Sequence, residues 1–403
     1  MQTEYLTLII LGALLILSPF VKSLMERIGV PALVGYILLG FLVSMMNQQW
    51  SFMTTAFNNT FTVLAQLGIV ALLFHVGLKS HTRALLAKLP DASLIWIGDV
   101  LTNLLLGFVV ARYMLELPLE TSLVISTAFS ATSVAVSVSI WDKMHKLNTS
   151  NGQLLVDVAE LDDLSGVLLL AVLLAVIPAL QGNETALLPS IGMTALVVLL
   201  KLVLFIAGCY LFSHYLEPDF TRFNRQWEKS TTGLTITVLG AGIAIAAMAG
   251  YLGFSLAIGA LFAGLAFSRD PQAVHTDAKF SYFYEFLTPF FFIHIGMQID
   301  PGDIAPSIGL ACILFIPAAL GKFLGVAAPA LRIVKKPDAV LLGLSMIPRA
   351  EIAMVIVYHC RQFGDNIVPD NVFAAMVLLA VMTSIFAPLV LHFLLKKHPG
   401  ADE

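Results

Sequence analysis

The chain has 403 residues, 58% hydrophobic and only 12% charged, with a mean hydropathy of +0.89 and a formal net charge of −4. That composition excludes an ordinary soluble globular domain. The small net charge says little by itself, because in such a chain what matters is where the charges sit. In chain order, apolar stretches long enough to span a bilayer lie near 5–22, 30–46, 61–78, 92–113, 119–140, 153–180, 188–214, 231–249, 253–268, 283–299, 304–330, 338–360 and 371–396. The expected fold is an all-α membrane protein of thirteen transmembrane helices. Short connections leave no room for a further soluble domain, so residues 1–403 are expected to form a single transporter domain.

The loop charges set a topology. Lys and Arg alternate between successive loops, with 17 on one side, only Arg361 on the other, and Arg112, Lys201, Lys322 and Arg349 within spans. Because basic loops stay in the cytoplasm, the N-terminus is expected outside and the C-terminus inside. The first span carries Glu4 and has its basic residues after the apolar run, unlike a cleaved signal peptide. Cys209, Cys312 and Cys360 lie in apolar spans without metal-ligand spacing and read as packing residues.

Two motifs recur seven spans apart. Gly35, Gly40 and Ser44 in the second span match Gly259, Gly264 and Ser268 in the ninth, as G-x4-G-x3-S. His75-Val76-Gly77 in the third matches His294-Ile295-Gly296 in the tenth. A shift by an odd number of spans inverts the second copy. Residues 1–180 and 231–396 are therefore expected to be inverted six-helix repeats, joined by a connecting helix at 188–214. Inverted repeats characterise alternating-access transporters, whose ion sites lie near the midplane on interrupted helices.

The sixth span holds Asp162-Asp163 inside Leu-Asp-Asp-Leu-Ser-Gly, followed by VLLLAVLLAVIPAL. An ionised carboxylate at bilayer depth costs a few kcal/mol or more, so intramembrane acids usually line a polar cavity and meet an ion or proton. Neighbouring helical residues differ by about 100° around the axis, so one aspartate can face an ion pathway while the other faces a partner helix. Lys322, in Gly-Lys-Phe-Leu-Gly of span 11, is the natural partner. It reads either as a static brace or as a group that exchanges a proton when a cation claims its carboxylate.

Span 5 offers Thr132 and Ser133, whose oxygens suit a hard cation but which also bond back to their own helix in many proteins. No glycine or proline marks a break there. Span 12 carries Pro348-Arg349-Ala350-Glu351, where proline disrupts the helix. Arg349 and Glu351 are expected to stabilise the core, by neutralising each other or the exposed helix ends. Asp157 and Glu160 read as an acidic funnel or as solvated interfacial residues. Asp99 and Lys201 read as paired or snorkelling, and His75 and His294 as packing residues or pH sensors.

Together the motifs VPALVGYILLG, LLFHVGLKS, FSATSV, LDDLSGVLLLAV, GALFAGLAFS, PFFFIHIGMQID, LGKFLG and IPRAEIAMVIV, in this order, resemble the bacterial monovalent cation:proton antiporters of the Kef/Nap branch. The resemblance covers nearly the whole chain. It implies a homodimer in the bacterial inner membrane, with spans 4–6 and 11–13 forming a transport core in which broken spans 5 and 12 cross. Spans 1–3 and 8–10 would form a dimerisation lobe. It implies that Asp163 is the principal carboxylate for Na+ or protons, that Asp162 pairs with Lys322, and that Thr132 and Ser133 stand beside the ion. Arg-Ala-Glu replaces the usual Arg-Gly-Glu of span 12, and His75 and His294 replace residues that are commonly apolar or small.

The expected activity is electrogenic sodium/proton exchange by elevator-like alternating access, with no cofactor and no nucleotide-binding domain. Potassium/proton exchange is the near alternative, and the transported cation (Na+, K+ or Li+) stays open. An intramembrane aspartyl protease is the remote one; its Gly-x-Gly-Asp motif is matched only by Trp96-Ile97-Gly98-Asp99, which lacks the first glycine.

Overall fold

A computed structural model of the chain describes residues 2–79, 89–133, 135–147, 149–181, 188–227, 231–252, 254–268 and 273–397. Among the described residues there is no strand: backbone groups in lipid can only be satisfied within a helix or a closed barrel, and these apolar runs become helices. In order they are α1 (Gln2–Arg27), α2 (Ala32–Trp50), α3 (Thr55–Lys79), α4 (Leu89–Val109, ending in a π-helical turn, Val110–Met114), α5 (Leu119–Ser130), α6 (Ala135–Lys143), α7 (Ser150–Gln181) and α8 (Leu188–Leu211). A second π-helical turn (Phe212–Leu216) leads to α9 (Glu217–Trp227), then α10 (Thr231–Tyr251), α11 (Leu256–Phe267) and α12 (Ala273–Met297). The chain ends with α13 (Pro301–Ala330), α14 (Lys336–Ser345), α15 (Glu351–Arg361) and α16 (Asp370–Lys397).

Among the described residues nine helical segments are long and apolar enough to cross a membrane. The stretches read as spans 5 and 12 are each two short helices. Span 5 breaks after Ser130, where Ala131 is extended (φ −75°, ψ 140°), although neither glycine nor proline is present. Span 12 breaks at Met346–Ala350, around Pro348. Ala350 adopts φ −152°, not the left-handed value that would demand glycine.

The chain forms two compact units. The first comprises Met1–Ser18, Met46–Ala84 and Leu174–Gly296. Its centre is the contact of α3 with α11, where glycines let the backbones approach. A Cβ on Gly77 would strike the Leu261 carbonyl and come within 2.8 Å of the Leu265 nitrogen; one on Gly264 would strike the Phe74 carbonyl. Gly259 sits equally tightly against Ala246 and Ala249 of α10, each 2.6 Å from its would-be Cβ. His75 is buried here, its ring stacked 4.6 Å from that of Tyr284. His294 is buried too. Lys201 is exposed on α8.

The second unit comprises Pro19–Met45, Leu85–Leu173 and Met297–Glu403, and holds α4–α6, most of α7, and α13–α16. The helix starts have local causes: Asp300 caps α13 by accepting from the Gly302 N–H at 2.8 Å, and Pro301 takes its first turn. Along α4 and α13 the close approach again uses glycine. A Cβ on Gly325 would come within 2.9 Å of the Asp99 Cα, and one on Gly321 within 2.8 Å of Asn103 Oδ1. One expectation needs correction: Cys312 is exposed on the outer face of α13 and is no packing residue, whereas Cys209 and Cys360 are buried.

Gly77→Leu is expected to lower the melting temperature of detergent-solubilised protein markedly, since overpacking costs about 1–3 kcal/mol or more. Gly12→Leu, at a position with nothing within 4 Å of a Cβ, should leave it unchanged.

Candidate functional site

The broken helices generate the site. A helix that stops inside a membrane leaves its last carbonyls without partners. At the end of α5 three of them are satisfied in different ways: Thr127 O accepts from Ser130 Oγ at 2.8 Å, Phe129 O from the Arg349 guanidinium at 2.9 and 3.2 Å, and Ser130 O from Lys322 Nζ. Two cations thus sit at the negative end of α5, where the helix dipole favours them. The two breaks are joined directly, the Ser133 N–H donating to Pro348 O at 2.8 Å. Helix α16 holds the second break from the other side: Arg349 N donates to Thr383 Oγ1 at 3.1 Å and Ser384 Oγ to Arg349 O at 3.3 Å.

Arg349 is fully buried, and its guanidinium nitrogens also reach Ala318 O (2.8 Å), Asn103 Oδ1 (3.0 Å) and Ile347 O (3.3 Å). Of the two roles open to it, the guanidinium takes the helix ends; no ion pair joins it to Glu351 among the described residues. Glu351 instead occupies the first turn of α15, where a negative charge suits the helix N-terminus, and lies beside Ser133.

Lys322 is wholly buried in α13. Its ammonium has three donors and three acceptors: Ser130 O, Asp99 Oδ2 at 2.7 Å, and the Asp162 carboxylate at 3.2 and 3.3 Å. Asp162 is also wholly buried. Asp163, next along α7, is only partly buried and lies within electrostatic reach of Asp162, Glu351, Lys322 and Glu160. One turn further on, a Cβ on Gly166 would come within 3.0 Å of Ile352 and 3.6 Å of Ala131. The dyad's face of α7 therefore packs against the edges of both breaks. Thr132 is buried at the first break, and its hydroxyl oxygen has no hydrogen-bond partner among the described residues. Carboxylate and hydroxyl oxygens are the donor chemistry that a hard monovalent cation prefers, and Asp162, Asp163, Thr132 and Ser133 supply such oxygens on α7 and at the first break.

Three features of this region were not read from the sequence. Asp99 is a full partner of Lys322, closer to it than Asp162 is. Asn103, one turn along α4, bridges Asp99 Oδ1 (2.7 Å) to Arg349. Their i, i+4 spacing in an apolar helix was the available signal. The third is a set of indole and hydroxyl ties: Trp96 Nε1 donates to Ser165 Oγ at 3.1 Å, and Trp141 Nε1 to Ser345 Oγ at 2.9 Å. The second of these joins α6 to α14. Asp157 and Glu160 lie on α7 and are partly buried.

A buried acid–base cluster thus sits at paired helix breaks in a chain whose described residues are helical and largely apolar. The family model described as sodium/hydrogen exchanger, transmembrane, matches residues 12–397, and the chain belongs to that family. It is 23% identical over 391 residues to a Na(+)/H(+) antiporter of Enterococcus hirae, covering 96% of this chain and 98% of that protein. It is 24% identical to the Na(+)/H(+)-K(+) antiporter GerN of Bacillus cereus, covering 94% of each. Among solved structures, the sodium proton antiporter MjNhaP1 from Methanocaldococcus jannaschii aligns over 99% of this chain and 100% of its own, with a TM-score of 0.73 at 14% identity. That last likeness concerns the fold alone. The chain is thus a membrane protein of an antiporter family and not an enzyme, which sets aside the protease reading.

Arg349→Ala would strand the Phe129 carbonyl in the interior, at about 1–3 kcal/mol, and take the guanidinium from the Ala318 carbonyl. The expected result is a large drop in melting temperature that added sodium does not restore.

Proposed function

We propose that the chain exchanges sodium for protons at Asp162-Asp163. The observation that carries the reading is the pair of adjacent carboxylates in an apolar helix, one held by a buried ammonium and the other left more open beside two helix breaks. Protons keep the dyad neutral, and sodium displaces them. Asp163 is the principal ligand, Asp162 the one shared with Lys322, and Thr132 and Ser133 supply oxygens at the first break. Electrogenic exchange, more than one proton per sodium, follows when both carboxylates carry a proton before sodium enters, with Asp99 alone balancing the Lys322 ammonium in that state.

Every one of these residues belongs to the same compact unit, and this supports an elevator-like movement of that unit to re-expose the site. The proposed architecture has thirteen crossings, with the N-terminus outside and the C-terminus in the cytoplasm of a bacterial inner membrane. Residues 1–180 and 231–396 are inverted repeats about a connecting helix at 188–214. Breaks in both span 5 and span 12, equivalent under that repeat, support it. The working assembly is a homodimer. Potassium remains a second candidate cation, favoured by the similarity to a relative named for both ions.

In proteoliposomes with the voltage set by valinomycin, a sodium gradient should drive a pH change that responds to imposed voltage; indifference to voltage would remove electrogenicity. Repeating the assay in vesicles of another permeability design with K+ and Li+ replacing Na+ sets selectivity. Asp163→Asn should abolish exchange in either format, and retained activity would displace Asp163 from its role. Competition also has a sign: as pH falls, the apparent KM for sodium should rise, by up to about tenfold per pH unit for each proton displaced. A KM independent of pH would rule out a shared site.

A further inference from the structure

The proposed mechanism uses Asp162, Asp163 and Lys322, yet the shorter contact of Lys322 is to a carboxylate outside the dyad. Asp99 is fully buried and both of its oxygens are engaged, Oδ2 by Lys322 at 2.7 Å and Oδ1 by Asn103 Nδ2 at 2.7 Å. Asn103 is anchored in turn by Arg349 at 3.0 Å. Behind this pair, Gly98, Gly321 and Gly325 bring α4 and α13 so close that a Cβ would collide, at 2.5 Å from Pro329 in the case of Gly98. The Asp99–Lys322 pair is therefore built into a close, glycine-lined helix contact. Asp162 meets the same ammonium through two longer contacts, 3.2 and 3.3 Å, from a different helix.

One counter-ion is fixed and the other is loosely shared. From this asymmetry we infer that Asp99 is a positioning residue of the transport site, a standing counter-ion that holds Lys322 while Asp162 turns from the ammonium to the arriving cation. Without it, releasing Asp162 would leave a buried ammonium with only the Ser130 carbonyl, a costly state. With it, Lys322 keeps a full ionic partner throughout. Asp99 is engaged at both oxygens by Lys322 and Asn103, and in this proposal it acts through Lys322. The charged groups around the ammonium are Asp99 on α4, Asp162 and Asp163 on α7, and Arg349 at the second break. This inference rests on the reading of the dyad as the cation site. Loss of exchange in Asp163→Asn tests that reading separately.

The test is a double-mutant cycle in proteoliposomes, reading the apparent KM for sodium and the maximal rate. Asp99→Asn throws Lys322 wholly onto Asp162, so the cation must break a tighter tie. The expected outcome is a roughly tenfold rise in KM with a much smaller change in maximal rate, in the range of couplings between contacting charges. In a Lys322→Gln background the same Asp99→Asn change should shift KM by less than about twofold, because the group it acts through is gone. Equal KM shifts in both backgrounds, or none in either, would overturn the proposal. Should Asp99→Asn alone fail to give monodisperse protein, the double variant decides. If it folds, the single variant failed for want of a partner to Lys322, as proposed. If Lys322→Gln folds and the double variant does not, Asp99 has a structural task of its own and the proposal falls.

Discussion

An ammonium group in the middle of an apolar helix must be surrounded by oxygens, and the packing of α4, α5, α7 and α13 meets that need. Lys322 gathers one acceptor from each of the other three helices: Asp99 from α4, Ser130 O from α5 and Asp162 from α7. Taking such a charge out of water costs several kcal/mol, and it is tolerated only when partners and geometry are both good. The consequence reaches outward. The glycines of α4 and α13 allow the approach, the early end of α5 supplies the carbonyl, and the neighbouring position on α7 leaves Asp163 less enclosed than Asp162.

The break in α5 and the buried arginine belong to the same arrangement. A helix end inside a membrane is costly because its carbonyls find no water, and here Arg349 and Lys322 bond to consecutive carbonyls of that end. Arg349 also reaches Asn103, so the cation that braces the helix end is linked through Asn103 to Asp99 and thence to Lys322. The supporting charges and Asp162 of the proposed exchange site form one hydrogen-bonded network. Low local dielectric makes such a network strong when every member is satisfied and costly when one is removed.

How much of this was legible in the sequence depends on what each signal meant locally. Asp162, Asp163, Lys322 and Arg349 stand out because a charge in an apolar run demands a reason, and Pro348 announces a helix break by removing a donor. The helical class followed from apolar run lengths alone. The break at Ala131–Ser133 carries no such mark: what stops α5 is its tertiary partners, the Pro348 carbonyl and two cations from distant helices, and no local residue encodes them. Asp99 was visible as a charge, but its partner lies 223 positions away and two helices compete for it. Asn103 is uncharged, and a single amide in an apolar helix looks unremarkable until its neighbour one turn back is known to be engaged. Arg349 and Glu351 are close in sequence, which left mutual neutralisation and the helix ends equally open, and the chain direction across the break sends them to opposite helix ends.

The account depends on protons and sodium excluding one another at the dyad, and binding without transport tests that most directly. Purified protein in a weak buffer would receive sodium while a pH indicator follows the solution and calorimetry follows binding. The account predicts that binding releases about one proton or more per protomer, as expected when a cation takes protonated ligands, and that Asp163→Asn neither binds nor releases. Sodium binding with no proton released from the unmodified protein would contradict it.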